Sequence, residues 1–177
     1  MDEQVLMSAL QTPEALWDMP SFLKHYTLHD SGLIEVRITS YHTGVIALVN
    51  WDLHWNSSVP QGYDTLAIQF KVPYSVNWNQ GTWYYSTLDG ATSCLVTEEE
   101  KEKMLYADSI DLKEFGRSED EIQPSVLDDT LTRTTFHVMN LSSAEVIHNE
   151  QVCFACFDSS GNARMVPRPD LPQEFAS

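Results

Sequence analysis

Asp52 and His54 are the residues whose types and spacing come closest to doing chemistry. On an extended strand, positions two apart share a face and lie about 7 Å from each other, from a rise of about 3.4 Å per residue. A carboxylate beside an imidazole can orient a general base, or give two ligands to a metal. His42 joins Asp52 and His54 as a candidate, and a metal would need a third ligand, such as His29 or His137. The histidines are isolated, not gathered into the His-x-His of a cupin. A serine nucleophile could in principle use the pair, but none of the serines sits in a Gly-x-Ser-x-Gly elbow. No glycine-rich phosphate loop occurs either. The expectation is a polar sheet face at Asp52 and His54, with no catalytic residue, no metal and no cofactor.

Cys153 and Cys156 have the spacing of a redox or zinc pair. They fall in an apolar run, 151–157, that reads as a strand, where residues three apart point to opposite faces. Such a pair cannot chelate one ion, and no helix follows to lower a thiol pKa. Reduced, buried thiols are expected, with Cys94 as a third small buried residue. Asn56 and Asn140 stand in glycosylation sequons. They are expected to be unused, because 1–7 has neither the basic start nor the apolar run of a secretory signal. No run reaches the length of a membrane span.

A recognition site is suggested at 74–81, read as a loop after Pro73. There Trp78 is flanked by Asn77, Asn79 and Gln80. A flat aromatic can take the apolar face of a sugar while amides take its hydroxyls. These four residues are the ligand-binding candidates; the plainer alternative is that Trp78 plugs the end of a sandwich.

The elements that would hold these residues read mostly as strands. Over 44–55, Val45, Ala47, Val49, Trp51, Leu53 and Trp55 alternate with Ile46, Leu48, Asn50, Asp52 and His54. That period of two predicts a long strand, buried on both faces at its start, with Trp51 and Trp55 in the core. Over 33–40, Ile34, Val36 and Ile38 are expected inward; over 65–72, Leu66, Ile68, Phe70 and Val72. Asp89-Gly90 between strand-like arms predicts a tight hairpin over 83–96. Thr97 with Glu100 forms a capping box for a short helix ending near Tyr106. A strand follows at 131–140, then a hairpin turning through 158–162. Residues 1–30 read as an irregular or short-helical lead-in, with Thr12, Pro13 and Glu14 as a helix start. Trp17, Phe22 and Tyr26 there could cover a sheet edge, and 167–177 reads as an extended tail. Together these predict one all-β domain over 1–177. About eight strands with one or two short helices form an antiparallel β-sandwich or jelly-roll-like fold.

The chain carries 26 acidic and 10 basic residues, a net charge of −16. That field disfavours nucleic acid and anionic membranes. Half of the excess lies in 98–129, with twelve acids against four bases. The stretch 108–119 has the length of a calcium loop, but Ile110 and Leu112 stand where oxygen ligands are needed.

In its runs TWYYSTLDG at 82–90, TTFHVMNLSS at 134–143 and VCFACFDSSG at 152–161, the chain from Leu33 onward resembles a protruding (spike) domain. Such domains belong to the capsid proteins of small RNA viruses, of the insect nodavirus, tetravirus and sinhalivirus kind. The resemblance implies a non-enzymatic module at the virion surface, made in the host cytoplasm. It implies self-association as a dimer or trimer, and attachment to a host receptor through a glycan. A basic, RNA-packaging arm would belong to another part of such a capsid protein. The alternatives are a cytosolic β-sandwich or β-barrel that binds a ligand, and a metal-dependent enzyme centred on Asp52 and His54.

Overall fold

A computed structural model describes residues 2–38, 44–71, 75–78, 86–103, 130–139, 143–149 and 151–169, with backbone alone at 38, 71 and 75–78. Helix α1 (Glu3–Leu10) starts at Asp2, whose carboxylate accepts from Gln4 N at 2.9 Å. Leu6 and Leu10, four apart, put one buried stripe on it. The start expected at Thr12 yields only a single turn, Pro13–Ala15; the Thr12 hydroxyl turns back to Ala9 O instead of capping it. Strand β1 (Leu16–Trp17) leads into α2 (Met19–His25). Asp18 caps α2 through Ser21 N at 2.8 Å, and Pro20 is tolerated in a first turn whose N–H groups need no helical partner.

The remaining strands are β2 (Gly32–Ile38), β3 (Gly44–Asn50), β4 (Thr65–Lys71), β5 (Ser75–Trp78), β6 (Ser86–Leu95), β7 (Leu131–Val138), β8 (Ser143–Asn149), β9 (Val152–Phe157) and β10 (Ala163–Arg164). Among the described residues they pair in the order β1-β9-β4-β3-β2-β6-β7-β8-β5, with β10 also on β9, and every pairing is antiparallel. The link between β2 and β6 is short, Gly32 with Thr87 and Leu33 with Ser86. It lets the sheet fold over, so that β4 meets β8. Phe70 packs edge-on to Phe136 at 6.2 Å and lies 4.6 Å from the His148 ring. The fold is thus an antiparallel β-sandwich.

Its core draws Val45, Ala47 and Val49 from β3, Leu66, Ile68 and Phe70 from β4, and Phe136 and Val146 from the facing half. The opposite face of β3 is buried as well, Ile46 and Leu48 lying beneath Leu6 and Leu10 of α1. Cys153 and Cys156 fall in the two different clusters, on opposite faces, as the strand period requires. Residues 98–103 are helical; Thr97 Oγ1 accepts from Glu100 N at 3.2 Å. Glu100 also pairs with Arg133 on the outer face of β7, which holds its carboxyl below the usual range. The hairpin turn at 158–162 forms as expected, with the Asp158 carboxylate accepting from Ser160 N and Asn162 N. The expected tail past residue 169, the helix end near Tyr106 and the acidic stretch beyond residue 103 lie outside the described residues.

Four expectations are corrected. Strand β3 stops at Asn50, and Leu53–Trp55 is a tight helical turn. Trp51 stays buried, but Trp55 is 54% exposed and not part of the core. Asp52 ends the strand by accepting from His54 N with its carboxylate. Ile34 is 44% exposed, because a bulge between Leu33 and Glu35 makes it an extra residue and turns it outward. Leu33, not Ile34, enters the core. Asp89-Gly90 makes no hairpin: β6 runs through it, with a register shift between Leu88 and Gly90 against β7. Cys94 pairs with Arg133 and is exposed, not buried.

Gly90 holds a φ of +153° at this bulge. A Cβ would meet no atom within 4 Å, so any penalty of Gly90→Ala is conformational rather than steric. The substitution is expected to cost about 1–2 kcal/mol, read as a lower urea midpoint at unchanged slope.

Candidate functional site

Three segments meet at one end of the sandwich: the turn after α2, the helical turn Leu53–Trp55, and the β6 bulge. Buried Asn56 clamps the first two. Its Oδ1 accepts from Thr27 N at 2.9 Å, and its Nδ2 donates to Thr27 O and Asp52 O at 3.0 and 2.7 Å. The amide that a glycan would occupy in this sequon is therefore committed to the fold; the second sequon asparagine, Asn140, lies outside the described residues. Trp51 Nε1 adds a fourth bond, to Thr27 O at 3.0 Å. Buried Ser31 accepts from Asp52 N at 2.9 Å. Asp30 takes a left-handed φ of 61°, which aspartate tolerates better than most residues. Its N–H donates to Leu88 O, and Leu88 N donates to Ser31 O, tying the turn to β6.

This clamp leaves Trp55 projecting. The His54 ring lies edge-on to it at 4.8 Å, and the His29 ring is 6.2 Å away. His29 Nδ1 is 3.0 Å from Asp89 O and its Nε2 is 3.4 Å from the Asp30 carboxylate. His29 thus joins the Trp55 face to the bulge residue Asp89. Asp89 also borders a cleft of about 360 Å³, with Tyr26, Leu28, Gly90, Thr92 and His137 among its walls. His137 is exposed and bonded to Thr92 Oγ1 at 2.8 Å. Chemically, the site offers an open indole face, carboxylates that accept hydrogen bonds, and imidazoles and a hydroxyl that can exchange them.

A second cleft of about 340 Å³ opens between Trp17, Leu95, Thr132 and His148. His148 is fully buried; its Nε2 is 2.8 Å from Thr134 Oγ1, and its Nδ1 faces Asn149 O. Burial lowers its pKa to about 4, so it is uncharged at neutral pH. This residue was missed from sequence, although Ala144, Val146 and His148 at period two mark it as inward-facing.

The residues singled out from sequence separate. Ser75–Trp78 is a strand, not a loop; Asn77 pairs with Glu145 and Trp78 with Ala144 on β8. Asn79 and Gln80 lie outside the described residues, as does His42. Asp52 and His54 do not share a strand face, since they lie on a tight turn. Among the described residues no three histidines, cysteines or acids gather as a metal site. The Cys156 thiol is pushed up to about 11 by burial. Among the same residues no helix is long and apolar enough to cross a membrane.

Compared with protein families, with curated proteins and with solved structures, the chain has no match.

Proposed function

We propose that this sandwich is a non-enzymatic recognition domain whose ligand contact is the Trp55 face with its adjoining cleft. The observation that carries the reading is the 54% exposure of Trp55 on a clamped turn. A large aromatic held out of the core by this hydrogen-bonded turn loses the burial that would stabilise it, about 1.5–3 kcal/mol for a large apolar side chain. A rigid exposed indole is well suited to the apolar face of a sugar ring. With the resemblance to viral protruding domains, this supports an attachment module at a virion surface. It would associate with copies of itself and meet a host glycan. The site moves from Trp78 to Trp55, which is exposed while Trp17 and Trp51 are buried.

The test is a glycan array probed with the purified chain, with Trp55→Ala and with Trp78→Ala. The chain and Trp78→Ala are expected to bind the same glycans, and Trp55→Ala to lose at least tenfold in signal, on the order of 1–3 kcal/mol for lost ring stacking. Loss on Trp78→Ala alone would return the site to β5. The 340 Å³ cleft above His148 favours a second reading, a sandwich that binds a small neutral ligand between its halves.

A further inference from the structure

We infer that the ligand at Trp55 is an uncharged saccharide and that acidic saccharides are rejected; this rests on the recognition reading above. Three carboxylates belong to the segments that hold the indole and its linking histidine. Asp30 is 41% exposed in its side chain and lies 3.4 Å from His29 Nε2. Asp89 is exposed at the rim of the cleft. Asp52 is half-buried at the foot of the turn, with Oδ1 taken by His54 N. An ionised carboxylate only accepts hydrogen bonds. The ligand must therefore bring donors, as the hydroxyls of a neutral sugar do. A sialic acid carboxylate or a sulfate brings acceptors and a like charge.

No lysine or arginine among the described residues lines this cleft or stacks on Trp55; the two cation–ring contacts lie elsewhere, Arg164 on Tyr63 and Arg168 on Trp17. Among the described residues the site thus has no permanent cation to pair with an anion. The net charge of −16 adds long-range repulsion of the same sign. The site's imidazoles are those of His29, His54 and His137.

The test is an array at pH 8 and low salt that carries neutral hexose- and N-acetylhexosamine-terminated glycans beside their sialylated and sulfated counterparts. Neutral probes are expected to exceed acidic ones by about tenfold or more, a gap that narrows in high salt. Asp30→Asn combined with Asp89→Asn keeps the turn at Asp30, since asparagine also adopts the left-handed region, and changes only the side-chain charge at Asp89. That double variant is expected to raise the acidic-to-neutral ratio severalfold, with its melting curve as the check on folding. Acidic probes bound as well as neutral ones, or binding confined to free-amine sugars, would overturn the inference and leave the recognition reading standing. Binding to no glycan at all would overturn both.

Discussion

Phe22→Ala is expected to destabilise the protein by about 3–5 kcal/mol, the usual cost of emptying a large aromatic site in a core. Phe22 is fully buried on α2. Its ring stacks on Phe154 of β9 at 4.4 Å and 9°. Tyr26 at 5.2 Å, Trp51 at 5.8 Å and Trp17 at 6.0 Å complete the cluster. Alanine would leave a cavity bounded by four large rings and strands, which cannot collapse into it. A fall in melting temperature of roughly 10 °C is expected for a chain of this size. Phe22→Leu, which keeps most of the volume, should cost less than about 1.5 kcal/mol. Urea denaturation followed by tryptophan fluorescence reads both. Equal, small losses in the two variants would mean that α2 is an appendage. The large loss expected for alanine means that residues 1–30, which read as a lead-in, are part of the core.

The second large effect comes from acid. His148 is buried with a pKa of about 4, against about 6.5 when unfolded, because burial penalises its charged form. Above pH 6.5 neither state binds the proton, and the stability is complete. Between 6.5 and 4 the unfolded chain takes up a proton that the folded chain refuses. Stability therefore falls with pH through that window by about 3 kcal/mol in all, and below about pH 4 His148 adds no further loss. Glu100 and Asp158 have lowered pKa values, so their stabilisation is lost only as the pH falls below their ordinary values near 4. The two regimes are separable. His148→Gln keeps a partner for Thr134 Oγ1 but does not titrate. Its stability between pH 6.5 and 4 should decline by about 3 kcal/mol less than that of the unsubstituted chain. Parallel declines would show that His148 is solvated.

Much of the sandwich was legible from period-two alternation. Strands β4, β7 and β9 and the 158–162 turn lie where that pattern puts them. The burial of β3 on both faces followed from its unbroken apolar run. Each error arose where a local signal serves two structures. Asp-Gly serves a tight turn or a bulge, and the choice at Asp89-Gly90 belongs to β7, a partner more than forty residues away. One bulge residue, Ile34, turns outward and sends Leu33 into the core without any change of composition, while Val36 packs on the core as expected. At 51–55 the alternation of polarity continues past the end of the strand. What stops it is Asp52 capping the turn and Asn56 reaching Thr27, contacts that only the folded chain assembles. That misreading hid the proposed site: the parity that put Trp55 in the core left Trp78 as the obvious ring for recognition.

The most direct measurement is an amide and indole nitrogen–proton correlation spectrum, recorded while the strongest neutral oligosaccharide from the array is added. The five tryptophan indoles report separately. The Trp55 indole signal is expected to shift in a saturable, dose-dependent way, with amides of 27–31 and 89–92 following it and Trp78 unmoved. A shift of Trp78 with Trp55 stationary would contradict the account.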